Sequence, residues 1–301
     1  MGDEISASDG GREDPAYDAR GICHGTSGGI RGKGVRISAA GRTGVLTVEV
    51  QEFGKENSRK IVLIPGNMMS WRQFAKVIPL LAKDFHVIVV STDGYDGTGE
   101  TTFTTSAESA EKLEKYIQDN LDGHVNLIFG ESFGSATAGT LFHRQRVQAD
   151  SLILSGPQYM NLGIFNGFVT KVIPRNQYRL YNKLQDRKKL PWLLKLYTRS
   201  DDESLIAQFS ATPKNITLHT LQNCAKEGLQ LYRDIDAYVP DPNAKVAVWY
   251  GAKEPNMKKA VQKLKRAFPA LEIHPFEGFG HGEIIAHPEL IAEEIKRFIN
   301  S

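Results

Sequence analysis

The chain has 301 residues, 41% of them apolar, which is enough to bury one large core. Its 37 basic and 35 acidic residues leave a formal charge of +2, which gives no electrostatic footprint for nucleic acid. No apolar run reaches the roughly 18 residues of a membrane span, no apolar signal segment opens the sequence, and Cys23 and Cys224 are too far apart to suggest a disulfide framework. A cytoplasmic protein without membrane contact is therefore expected.

Residues 1–33 are rich in Gly, Ser, Asp and Glu and carry almost no periodic apolar positions, so they read as a flexible N-terminal extension. From Val35 to Val50 apolar and polar residues alternate around Gly41-Arg42-Thr43-Gly44, which predicts a β-hairpin. Lys60–Ile64 is a continuous apolar run, as expected of a strand buried on both faces, and it ends in Pro65-Gly66. Phe74, Val77, Ile78 and Leu81 then follow at helical spacing. Phe85–Val90 reads as another buried strand, Asp93–Gly99 as a Gly/Asp loop, and Ser106–Asn120 as an amphipathic helix.

Asn126–Thr140 reads NLIFGESFGSATAGT, an apolar strand, a sharp turn and a helix of small residues. Ser151–Leu154 is a further strand. From Pro157 to about Asp241 only helix-like pieces rich in Leu, Phe, Tyr and Trp occur. Strand Val246–Tyr250, helix Met257–Phe268, strand Leu271–Phe276 and helix Pro288–Ile299 resume the alternation. Strands alternating with helices predict an α/β fold, a mainly parallel sheet flanked by helices. The interruption predicts a helical cap inserted at 157–241, with the core formed by 34–156 and 242–301.

The chemistry gathers at the ends of these strands. Gly130-Glu131-Ser132-Phe133-Gly134 lies between strand and helix, the context in which Gly-x-Ser-x-Gly forms a nucleophile elbow with the serine hydroxyl above the sheet. A second match, Gly25-Thr26-Ser27-Gly28-Gly29, has neither strand nor helix beside it and reads as flexible chain. A serine hydroxyl needs a base, and the base needs a carboxylate to orient it. Glu254 is the only acid in the loop after Val246–Tyr250, whereas Asp241 precedes that strand and sits at the wrong end. His281, in Gly280-His281-Gly282, is the one histidine on a Gly-rich loop after a late strand. Ser132, Glu254 and His281 are thus the candidate catalytic residues. Oxyanion stabilisation needs two backbone donors, and the amides of Phe133 and Asn67 are the candidates, with Met68 as runner-up.

Over roughly residues 35–300 the chain resembles the serine-type α/β-hydrolases with a helical cap. Gly130–Gly134 is similar to that family's elbow, and Glu254 and Gly280-His281-Gly282 to its acid and histidine positions. The loop Asp93-x-x-x-Gly-x-Gly is similar to the loop usually seen after the preceding strand. Two departures stand out, Pro65-Gly66 where many members carry His-Gly and Glu254 for the commoner Asp. The resemblance implies hydrolysis of a small-molecule acyl substrate through an acyl-enzyme, carboxylesterase-like, with no cofactor and no metal. It also admits thioesters, lactones, amides and carbon–carbon bonds next to a carbonyl. Epoxide and haloalkane chemistry, which uses an Asp nucleophile in this family, is disfavoured by Ser132. The alternative is a ligand-binding, receptor-like member with little turnover.

Under the cap, Trp71, Phe165, Phe168 and Trp192, with Met160, Tyr178, Tyr181 and Tyr197, could line an apolar acyl pocket or form the cap's own core. Nine basic residues and one acid lie between Lys171 and Arg199, a solvated face or an attraction for an anionic substrate or an anionic membrane surface.

Overall fold

Alternating buried positions let a strand feed two cores at once, and the computed structural model of the protein shows this in its central sheet. The structure describes residues 16–17, 23–24, 33–41, 44–157, 163–184, 212–235, 238, 242–255 and 257–301. Eight strands form the sheet: β1 (Lys33–Gly41), β2 (Gly44–Phe53), β3 (Lys60–Ile64), β4 (His86–Ser91), β5 (Leu127–Glu131), β6 (Ser151–Ser155), β7 (Lys245–Gly251) and β8 (Glu272–Phe276). Their order is β8-β7-β6-β5-β3-β4-β2-β1. Strands β3 to β8 run parallel, and β2 and β1 complete the sheet as an antiparallel hairpin.

Among the described residues there are seven α-helices: α1 (Ile78–Leu81), α2 (Ser106–Asn120), α3 (Gly134–Arg144), α4 (Asn166–Leu184), α5 (Leu218–Asp234), α6 (Met257–Ala267) and α7 (Pro288–Asn300). Ala16–Tyr17 pairs antiparallel with Cys23–His24, and His124–Val125 pairs parallel with Gln148–Ala149, both outside the main sheet.

Strands β4, β5 and β6 are buried at every position, which is why they read as unbroken apolar runs. Val62, Ile88, Ile128 and Leu152 face a core closed by Leu113 and Ile117 of α2, Leu141 of α3 and Leu264 of α6. Their neighbours Ile61, Leu63, Val87, Val89 and Phe129 face the opposite core, closed by Leu81 of α1 and Ile291 and Ile295 of α7. Helix α2 starts where Thr105 caps it, its side chain accepting from the Glu108 amide.

One predicted element differs. The helical spacing from Phe74 to Leu81 is divided into a 3₁₀ turn, Trp71–Phe74, and the single-turn α1. Pro79 lies in the first turn of α1, where its missing amide is harmless, but its ring would clash with a helix running on from Phe74. In the segment between β6 and β7, the described residues form α4 and α5, packed against each other, and no strand. Because β3 to β8 are parallel, their carboxyl ends and the loops that follow share one edge of the sheet. No helix of the described residues is long and apolar enough to cross a membrane.

Candidate active site

At the end of β5 the backbone turns through Ser132, whose φ is +51°, a left-handed conformation that costs a non-glycine residue about 1–2 kcal/mol. The Ser132 amide donates to the Ser155 carbonyl at 2.6 Å, continuing the β5–β6 ladder past the strand. The flanking glycines have steric causes. A Cβ on Gly130 would lie 2.7 Å from Ala138 Cβ and the Gly134 carbonyl, inside α3. One on Gly134 would lie 2.5 Å from the carbonyls of Ile64 and Pro65, at the end of β3. Only glycines let the helix pack this close to both strands.

The acid and the base come from the next two strand ends. Glu254 closes a turn after β7, and its Oε1 accepts from the Gly251 amide at 2.8 Å. Its Oε2 stands 2.7 Å from His281 Nδ1. The loop after β8 is stitched to this turn by the Ala252 amide on the Phe276 carbonyl, 2.9 Å, and the Lys253 amide on the Phe279 carbonyl, 3.0 Å. The buried Glu283 carboxylate holds the same loop by accepting from the Gly280 amide at 2.6 Å. His281 Nε2 then lies 2.8 Å from Ser132 Oγ. A carboxylate only accepts, so the proton sits on Nδ1 and leaves Nε2 free to accept from the serine hydroxyl. Gly156, φ +54°, floors the pair, since a Cβ there would be 3.0 Å from His281 Cε1 and 3.4 Å from Glu254 Oε2.

The loop after β3 reaches the same place. A Cβ on Gly66 would stand 3.3 Å from Ser132 Cβ, so Asn67 follows directly beside the nucleophile. The amides of Asn67 and Phe133 have no acceptor among the described residues. The next residue after Asn67, Met68, has φ +64°.

The model of the alpha/beta hydrolase fold family matches residues 60–288, from the first residue of β3 to the first of α7. The chain belongs to the α/β-hydrolase family. Solved structures share its fold at low identity. An α/β-hydrolase family protein from Desulfitobacterium hafniense is 22% identical with a TM-score of 0.70, covering 83% of this chain and 99% of its own. A thermophilic esterase from Thermogutta terrifontis is 15% identical with a TM-score of 0.66, covering 89% and 98%. A mutant of epoxide hydrolase from Solanum tuberosum is 13% identical with a TM-score of 0.66, covering 90% and 99%.

In this α/β-hydrolase the electrostatics favour a charged histidine. Burial depresses the His281 pKa, but the hydrogen bond and charge of Glu254, helped by the charge of Glu131, outweigh it and leave the pKa above the ordinary value of 6.5. Glu131 escaped the sequence reading. It is fully buried at the last position of β5, and neither carboxyl oxygen has a hydrogen-bond partner among the described residues. Burial raises its pKa to about 7 against the charge of His281, and the Ser155 hydroxyl, near but outside bonding geometry, lowers it slightly. An acid closing an otherwise apolar buried strand was the signal available in the sequence.

Glu131 carries a stability cost whose sign follows from linkage. Its folded pKa of about 7 exceeds the ordinary 4.5, so the folded state holds a proton that the unfolded chain releases between those values. Stability therefore falls as pH rises through this window, by about 3 kcal/mol once above 7. Glu131→Gln is expected to be more stable than wild type by that amount at pH 8 and no more stable below pH 4.5. Urea unfolding at both pH values checks it. An equal gain at both would assign the effect to packing.

The proposed substrate residues are spread out. Trp71 packs against Phe53 with ring centroids 6.1 Å apart and under the Arg72 guanidinium at 5.0 Å. Phe165 and Phe168 are 63% and 61% exposed. Tyr178 and Tyr181 join a cluster with Phe103, Ile216 and Leu221, against which Met68 and Phe133 pack. Trp192, Tyr197, Met160, Ser27 and Asp241 lie outside the described residues.

Proposed function

We propose that this α/β-hydrolase is a serine hydrolase that cleaves a carboxylic ester or related acyl bond of a small-molecule substrate through an acyl-enzyme. One observation carries the reading: an unbroken chain of hydrogen bonds from Glu254 through His281 to Ser132, 2.7 and 2.8 Å, with the serine on a left-handed elbow. Ser132 Oγ attacks the acyl carbon as its proton passes to His281 Nε2. The amides of Asn67 and Phe133 take the oxyanion. The carbon–oxygen bond to the leaving group breaks, and the departing alkoxide takes the proton from Nε2. Water repeats the sequence on the acyl-enzyme, giving its proton to His281, and releases the acid and Ser132.

The Thermogutta esterase supports ester chemistry by fold likeness. Serine at the nucleophile position speaks against the epoxide chemistry named for the Solanum neighbour. Segment 157–241 acts as a cap over the site in this reading, and cysteine usage supports a cytoplasmic setting.

A fluorophosphonate probe tests it, since it reacts only with an activated nucleophile. Stoichiometric labelling, with the adduct on the peptide bearing Ser132, together with hydrolysis of p-nitrophenyl esters, is the expected result. The chain-length optimum of the ester series would then size the acyl pocket. No label and no hydrolysis at any chain length would make the protein a ligand-binding member of its family.

A further inference from the structure

The loop after β4 connects two places that the sequence keeps apart. It carries glycines at φ +76°, +80° and +77°, namely Gly94, Gly97 and Gly99, and between the first two lies Tyr95, which is fully buried. The Tyr95 hydroxyl donates to Asn67 Oδ1 at 2.5 Å. Cys224 Sγ, from α5, stands 3.1 Å from the same oxygen. A phenol has one proton to give. With that proton committed to Asn67, the Cys224 thiol is the donor, so a directed chain runs from α5 through Tyr95 to the turn beside Ser132. Burial pushes the Cys224 thiol up to about 12 and the Tyr95 phenol well above its ordinary value, so both keep their protons.

The same loop, and the first residue of α2 that follows it, are fastened to α5 and the residues before it by other bonds. Asn223 Nδ2 donates to the Phe103 carbonyl at 2.8 Å, the Ser106 amide donates to Glu227 Oε1 at 2.6 Å, and Asn215 Nδ2 donates to the Gly97 carbonyl at 3.1 Å. Thr220 fills the space where a Cβ of Gly94 would stand, at 2.3 Å. Phe103 meets the Phe133 ring edge to face at 5.2 Å. Both candidate oxyanion donors are therefore braced by one loop that α5 holds. Met68, at φ +64°, needs such bracing, because a non-glycine residue stays left-handed only where its surroundings impose it.

We propose that Tyr95 is a positioning residue for the oxyanion site: its hydroxyl fixes the Asn67–Met68 turn and ties that turn to helix α5. This rests on the reading of Ser132 as nucleophile and Asn67 as oxyanion donor. It gives the segment between β6 and β7 a second task, since it makes the seating of α5 part of the geometry that stabilises the oxyanion.

The test is Tyr95→Phe, which keeps the ring and removes the donor. We expect kcat on a p-nitrophenyl ester to fall about 10- to 100-fold, with KM within about twofold and the acid limb of the pH profile unmoved. Fluorophosphonate labelling should slow in parallel. Asn67→Ala, which keeps the amide and the tyrosine ring and removes the acceptor, should lose a similar factor. The double variant should lose no more than the larger single, because the two residues act through one bond. Unchanged kcat in Tyr95→Phe, or losses that multiply, would overturn the proposal. If Tyr95→Phe does not fold, Asn67→Ala decides alone: wild-type kcat rejects the proposal and the stated loss supports it. A labelled wild type with an equally fast Tyr95→Phe rejects this inference and leaves the hydrolase reading intact. An unlabelled wild type overturns both.

Discussion

Ser132→Ala is expected to lower kcat for ester hydrolysis by about 10⁶-fold, and His281→Ala to do nearly the same. Each residue is useless without the other. In the proposed mechanism Ser132 Oγ becomes a nucleophile only as its proton passes to His281 Nε2, 2.8 Å from the oxygen, and Nε2 has no task if the hydroxyl is gone. The double variant should therefore be no slower than either single, with a residual rate from the oxyanion donors. Folding should survive, because Ser132 sits at a turn held by backbone, its amide on Ser155 and its carbonyl accepting from Ser135. The strain at φ +51° remains in the alanine variant and is relieved in Ser132→Gly, so the glycine variant should be more stable than the alanine one by about 1 kcal/mol. Rates are taken per folded molecule, with the folded fraction of each variant from circular dichroism, and thermal unfolding of the alanine and glycine variants gives the strain. Multiplying losses in the double variant would mean that serine and histidine serve separate steps.

Much of this was legible because the fold writes itself in local pattern. Strands buried on both faces have to be short apolar runs, and β3 was read with the bounds Lys60–Ile64 that the structure shows. Helix α2 was legible from its apolar spacing, with the same bounds, Ser106–Asn120. That Ser132, Glu254 and His281 would meet was legible because a parallel sheet delivers the ends of β5, β7 and β8 to one edge, so loop position substitutes for distance. What stayed hidden depends on contacts between segments. Nothing local says that Tyr95, in a Gly/Asp loop, donates to Asn67 some 28 residues earlier and meets Cys224, 129 residues later. Glu131 occupies a variable position inside a motif, and only its complete burial shows it as a carboxyl with no hydrogen-bond partner among the described residues, sensing the charge of His281. Pro79 is visible in the sequence, and its steric veto on a helix running in from Phe74 overrides the apolar spacing, which is why α1 starts only at Ile78.

Glu254→Gln is expected to lower kcat by about 10⁴-fold and to shift the remaining activity toward acid. The carboxylate has two acceptor duties, Oε1 for the Gly251 amide at 2.8 Å and Oε2 for His281 Nδ1 at 2.7 Å. A carboxamide has one acceptor oxygen. If that oxygen faces Gly251, the NH₂ points at Nδ1, moves the ring proton to Nε2 and leaves no lone pair for the serine hydroxyl. If it faces His281, two donors meet at Gly251. The first arrangement costs the tautomer, an effect of about 10⁴-fold in comparable triads, and the second costs the turn.

The pH dependence follows separately. In the wild type, activity should rise as pH climbs through the His281 pKa, above 6.5, because only the neutral ring accepts a proton. Burial alone would depress that pKa, and Glu254 is the main influence raising it, so removing its charge lets burial prevail. The acid limb of kcat/KM should therefore move to lower pH in Glu254→Gln, while Glu254→Asp, which keeps the charge on a shorter arm, should retain the wild-type limb with a smaller rate loss. A Glu254→Gln enzyme with near-wild-type kcat and an unmoved limb would show that another carboxylate governs His281. Glu131, buried and already coupled to it, would be the next to replace.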